Sequence, residues 1–215
     1  VASHSIAHVY FERGDASGGA DFLAKWLPGF DDRASYHVHL SWHLALFELA
    51  MGHYQKSLEL YDSNIRPSVV AKSPLSLTDS ASLLWRLQMY GGAAPAEVME
   101  ELCAQAAPAA EKPGPAFRDS NAALAFAVAG DDRSLGSMMD GLRAAAGNGD
   151  KLAVEVMLPL VQAISAFVHQ DYGEAVRLME PLFGQDARYD QLCRVGGSHA
   201  QREVFEDTLM EAYLR

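Results

Sequence analysis

Two histidine pairs, His4 with His8 and His39 with His43, are each spaced four residues apart, which on a helix places both imidazoles of a pair on one side. Neutral imidazole is a common ligand for zinc-class ions, so two such pairs on adjacent helices offer four nitrogen ligands for a divalent metal. Asp79 can supply a fifth group, or the outer carboxylate that orients one ring. The plainer reading is that each histidine sits at the polar border of a helix and bonds to a neighbouring side chain or carbonyl. The HxxxH spacing alone, without the glutamate of zinc proteases, is a short pattern that arises by chance.

Other polar residues invite similar pairs of readings. Arg86 follows Asp79 by seven positions, two turns along one helix face, where it can form an ion pair with that aspartate or contact an anionic ligand. Ser198, His199, Gln201 and Arg202 open the last helix, whose free amides and dipole favour an anion, although ordinary capping uses the same residues. Trp42, between two of the histidines, reads as a packing residue beside the site, as do Trp26 and Trp85. His37 and His53 read as solvent-facing or loop residues, and His169 as a helix-ending imidazole favoured by the dipole.

Several function classes fall away. The chain has no serine nucleophile elbow, phosphate loop, dinucleotide fingerprint or paired-cysteine motif. With 28 acids against 17 bases its formal charge is −11, spread over many segments, which disfavours nucleic acid as a partner. Cys103 and Cys193 match neither a zinc spacing nor a disulfide framework, so a reducing cytoplasm is expected. The longest apolar stretches, such as Ala122 to Ala129, are far shorter than the roughly 20 residues of a membrane helix, so no membrane association is expected. The opening VASHSIAHVYFERGD lacks the regions of a secretory signal and begins inside a helical pattern, as in a fragment or processed chain.

The elements that must position these residues are helices, because apolar residues recur at three and four spacing throughout and strand-like alternation is scarce. The 215 residues, 49% of them apolar, suffice for one elongated domain spanning 1–215. Comparable turns fall at Gly14, Gly52, Gly91, Gly130 and Gln170, by subtraction 38, 39, 39 and 40 residues apart. A small residue follows five places later at Gly19, Ser57, Ala96 and Ala175, whereas the fourth copy has Leu135. This is the pattern of a helical-hairpin repeat, in which the glycine ends one helix and the small residue lets the next pack closely.

The spacing predicts hairpins of 2–13 with 15–27, 37–51 with 53–65, 76–90 with 94–106, 118–129 with 132–146, and 150–169 with 171–184. A capping helix over 198–214 follows, with an apolar stripe of Val204, Leu209 and Tyr213. Prolines 28, 67, 74, 108, 113 and 115 mark the joints. The expected fold is all-α: a right-handed superhelical solenoid of about five hairpins like tetratricopeptide repeats, although about 34 residues is the usual length of that repeat. Counted back from the turns, the polar residues of the first three first-helices fall on one face.

The strings HVHLSWHLALFELAMGHYQKSLELYDSNIRPS, LTDSASLLWRLQMYG, VMLPLVQAISAFVHQDYGEAVRLMEPL and RVGGSHAQREVFEDTLMEAYLR together resemble the tetratricopeptide repeat protein 38 family, in order and spacing, over nearly the whole chain. The resemblance implies that this is the C-terminal half, because longer members carry further repeats ahead of the segment at Ser3 to His8. The family's histidine, tryptophan and histidine fall on His39, Trp42 and His43, and its tyrosine-aspartate pair on Tyr61 and Asp62. Its aspartate and arginine fall on Asp79 and Arg86, and its glycine-rich, glutamine-arginine signature on Gly196, Gly197, Gln201 and Arg202. His199 departs from the family's frequent asparagine, which suits a shared hydrogen-bonding role and removes His199 from the metal ligands. The resemblance implies no reaction.

The leading functional expectation is a binding module whose concave face, lined by His4, His8, His39, His43, Asp79 and Arg86, receives a peptide, a partner protein or a small ligand. The alternative is a metal-dependent hydrolase or oxygenase-like enzyme, with the ion on His4, His8, His39 and His43. A homo-oligomer closed through unsealed repeat ends is the third.

Overall fold

The computed structural model describes residues 2–73, 75–184 and 191–215, and among these the chain is helical, without a strand. Twelve α-helical segments follow in order: α1 (Ala2–Glu12), α2 (Ala16–Trp26), α3 (Ser35–Ala50), α4 (Tyr54–Leu60), α5 (Arg66–Val70), α6 (Ser76–Met89), α7 (Ala96–Glu111), α8 (Ala116–Ala129), α9 (Asp132–Gly147), α10 (Leu158–Val168), α11 (Tyr172–Met179) and α12 (His199–Leu214).

All five turn residues have the left-handed backbone the spacing demanded: φ is 65° at Gly14, 78° at Gly52, 85° at Gly91, 68° at Gly130 and 63° at Gln170. Each turn closes with the same backbone bonds, for example Gly14 N–H to the Phe11 carbonyl and Asp15 N–H to the Tyr10 carbonyl. In three of them an aspartate comes next and caps the second helix. Asp15, Asp131 and Asp171 accept from the amides of Gly18, Ser134 and Glu174.

The small residues behave as expected at Gly19, Ser57 and Ala175, which are buried. A Cβ on Gly19 would lie 2.5 Å from the buried Phe47 ring. Ala96 is a correction: α7 starts five residues after its turn glycine instead of two, so Ala96 is exposed and Val98 takes the buried place. Leu135, the irregular copy, is nonetheless buried.

Two prolines read as joints lie inside helices. Between α4 and α5 the chain continues through a π-helical turn, Tyr61–Ile65, so the second helix runs on to Val70 with Pro67 in its stride. A wider π turn does not need the amide that proline lacks, and the same solution recurs at Ala153–Met157 ahead of Pro159. Pro108 is accommodated within α7. Pro74 lies outside the described residues.

The helices of each predicted hairpin pack together, and successive first helices touch: α1 with α3, α3 with α6, α6 with α8, and α8 with α10. The main core runs from α3 to α12, and a smaller one joins α1, α2 and α3 around Leu23, Leu40 and Phe47.

The last helix differs most from expectation. It packs on α6 and α11 and reaches α1, so it touches the first helices of the first and third hairpins and the second helix of the fifth. Its buried line is Ala200, Val204, Phe205, Thr208 and Ala212, while Tyr213 of the expected stripe is exposed. The Trp85 indole donates to the Thr208 hydroxyl at 2.8 Å, and His199 sits 3.1 Å from Glu12. Arg86, 3% exposed, donates through Nε to Asp207 at 2.7 Å and lies 3.5 Å from Glu203. The proposed Asp79–Arg86 pair is therefore not formed, because α12 brings two carboxylates to the arginine.

Burial pushes the Glu203 carboxyl up to about 7, against an opposing pull from Arg86. A raised carboxyl stabilises the fold most below its unfolded value and loses that contribution as pH rises through the folded one. The Glu203→Gln variant should thus match the parent in urea midpoint at pH 4.5 and exceed it at pH 8; equal midpoints at pH 8 would show that burying this carboxylate carries no cost.

Candidate metal centre

Helix α1 contributes His4 and His8, α3 contributes His39 and His43, and α6 contributes Asp79. A ligand nitrogen from each of the four histidines lies within 4.8 Å of the others. The ring centroids are 4.5 Å apart for His4 and His8, 4.8 Å for His39 and His43, and 4.7 Å for His8 and His43. The four-residue spacing places two rings on each helix, and the contact between α1 and α3 turns the two pairs toward each other.

The proton inventory of this group is crowded. His39 Nδ1 lies 2.9 Å from Asp79 Oδ2, which holds a proton on Nδ1 and, in the neutral tautomer a metal ligand requires, presents Nε2 as the lone pair. That Nε2 is 3.0 Å from His4 Nε2, which is in turn 2.9 Å from His8 Nε2. Three Nε2 atoms thus converge, and one proton on His4 serves at most one neighbour well. Nitrogens about 2.0–2.1 Å from a common tetrahedral ion stand roughly 3.3 Å apart; here two pairs lie at 2.9 and 3.0 Å and all four ligand nitrogens within 4.8 Å, a spread that small side-chain adjustments would close onto one ion. His43 is fully buried, and neither of its ring nitrogens has a hydrogen-bond partner. Asp79 Oδ1 is also buried without a partner.

Burial keeps His4, His8 and His43 in the ligating form. Burial, reinforced by the other imidazoles, lowers His4 to about 4 and lowers His8, and it holds His43 well below the usual histidine range. Neutral imidazole is the species a metal requires, so little proton competition remains at these three rings at neutral pH.

Behind the group, the Trp42 indole stacks on His39 at 5.2 Å and donates to the Ser82 hydroxyl, which donates to the Asp79 carbonyl. Trp42 is buried and sets the angle of His39. In front, a cavity of about 530 Å³ is bordered by His4, His39 and Asp79, with Tyr36, Leu75 and Phe117 among its apolar walls and Gln201 at the α12 side.

The remaining expected site residues have other work. Arg86 is occupied by α12. His199 is held by Glu12 and Glu206, which raise its pKa against burial. Gln201 completes a capping box with Ser198, and Arg202 donates to the Gly197 carbonyl, so capping accounts for that turn. His53 pairs with the buried Glu48, His37 stacks on Phe30, and His169 bonds the Ser165 carbonyl, as a helix-ending imidazole should. Tyr36, Leu75 and Phe117 were not singled out from the sequence; as isolated apolar residues they carry no periodic signal that separates a cavity wall from a core.

No protein-family model matches the chain, and no solved structure matches it significantly.

Proposed function

We propose that the chain is a metal-binding protein of tetratricopeptide-like hairpins, holding one divalent zinc-class ion on His4, His8, His39 and His43 and presenting it to a small ligand in the adjoining cavity. The observation that carries this reading is His43, a fully buried imidazole with both nitrogens unpartnered, packed against three other histidines. A core histidine kept for packing ordinarily finds a hydrogen bond, and leaving it without one costs stability that a bound ion would return. The Asp79–His39 bond supplies the outer carboxylate that commonly orients a metal-ligating ring.

The five turns and the contacts between successive first helices support a solenoid of repeats, and a right-handed superhelix is the form we propose for it. In that scaffold the binding role expected of the concave face contracts to the cavity beside the histidines, because Arg86 lies beneath α12. With a fifth position open toward the cavity, the ion would supply Lewis-acid chemistry to a bound oxygen, and this favours a metal-dependent hydrolase-like or oxygenase-like enzyme as the second reading.

Elemental analysis of protein purified without a histidine tag or chelator should find about one zinc-class ion per chain, and the His4→Ala/His43→Ala variant should hold almost none while keeping its helical circular dichroism. A parent that neither carries an ion nor takes one up when offered zinc would remove this function.

A further inference from the structure

The cavity beside the histidine group has features that select its occupant. Its inner end is formed by His4, His39 and Asp79, and along its walls Tyr36, Leu75 and Phe117 stand beside Ser68, Ser73, Ser76 and Thr78. Leu75 is 65% exposed and Tyr36 43% exposed, so apolar surface faces the opening instead of the core. Asp79 is almost wholly buried at that inner end and keeps Oδ1 without a hydrogen-bond donor. Asp32 and Arg33 stand at the border, the arginine already held by Asp31 at 2.9 Å.

Charge counting narrows the choice. A divalent ion on four neutral imidazoles carries two positive charges, and Asp79, bonded to His39, offsets one. One positive charge is left in a half-enclosed site, which a single anionic oxygen group would neutralise. A second negative charge on the same ligand would meet Asp32 at the opening with Arg33 already paired. The apolar part of the wall, Tyr36, Leu75 and Phe117, adds stabilisation only for a ligand with a hydrocarbon body.

Resting on the metal centre proposed above, we infer that the cavity takes a small monocarboxylate with an aromatic or branched apolar body, its carboxylate on the ion and its body between Tyr36, Leu75 and Phe117.

The test uses the full chain loaded with one equivalent of cobalt(II), its content measured first, and follows the visible bands that report cobalt coordination. Phenylacetate should shift these bands saturably, at least tenfold more tightly than acetate, while phenylacetamide and inorganic phosphate leave them unchanged at the same concentrations. Leu75→Asp, an exposed position, should weaken phenylacetate at least tenfold and retain its cobalt. If cobalt is bound but phenylacetate does not move the spectrum, or acts no better than acetate or phenylacetamide, the ligand assignment is wrong and the metal centre stands. Failure to bind cobalt or zinc overturns both.

Discussion

Replacing His43 with leucine is expected to stabilise the metal-free protein and destabilise it relative to the parent once zinc is present. In the absence of an ion the parent buries two ring nitrogens that no group satisfies. An unsatisfied buried polar group costs about 1–3 kcal/mol, so an apolar side chain of similar size should raise the unfolding free energy by roughly 1–2 kcal/mol. With zinc at a hundredfold excess over its dissociation constant the parent gains about 2.7 kcal/mol from ligation, and the variant forfeits most of it. Urea melts of both proteins, with chelator and with zinc, give the four values needed. A leucine variant less stable under both conditions, beside a parent indifferent to zinc, would make His43 an ordinary packing residue.

The second large effect belongs to Arg86. Its guanidinium is buried between α6 and α12, bonded to Asp207 and close to Glu203, and Nη1 and Nη2 have no hydrogen-bond partner. Removing one member of such a buried group strands the opposite charge, so Arg86→Met should cost roughly 3–5 kcal/mol at pH 8. The double variant Arg86→Met/Asp207→Leu should recover most of that loss, because an apolar pair of similar volume fits the same interface and leaves only Glu203, whose raised pKa lets it take up a proton once Arg86 is gone. Single and double variants that are equally unstable in urea would mean the arginine acts by shape alone. Histidine-bound metal should be unaffected in stoichiometry by either substitution, since Arg86 lies two turns beyond Asp79 on α6.

These contrasts show what a linear sequence discloses. The five turns were legible because a helix that stops and reverses needs a left-handed residue, and glycine at four of the five places supplies it cheaply. The aspartates at 15, 131 and 171 are an equally local signal for where the second helices begin, one that the turn spacing alone did not single out. The histidine group was legible for the same reason: a four-residue spacing decides a helix face, and repeat register brings neighbouring first helices together.

What escaped depends on distant pairing. Nothing near Arg86 announces that Asp207 will reach it, and the seven-residue spacing to Asp79 pointed to the wrong partner. Ala96 misled because the loop ahead of α7 is three residues longer than its counterparts, and Pro67 because a π turn absorbs a proline that ordinarily ends a helix. The walls of the cavity come from α3, the segment before α6 and the start of α8, so no single stretch of sequence displays them.

The position of α12 also orders events in time. The histidine group and Asp79 lie between positions 4 and 79, well ahead of α12, and the longest closure among them joins His39 to Asp79 across 40 residues. By contrast, α12 joins its first turn to Glu12 across 187 residues. Short loops close at lower entropic cost and earlier, so the first two hairpins and α6 can assemble the histidine group while the remainder is still being synthesised. The final helix then seats across elements already formed, and a nascent chain would acquire the capacity to capture an ion before it acquires its closing clasp.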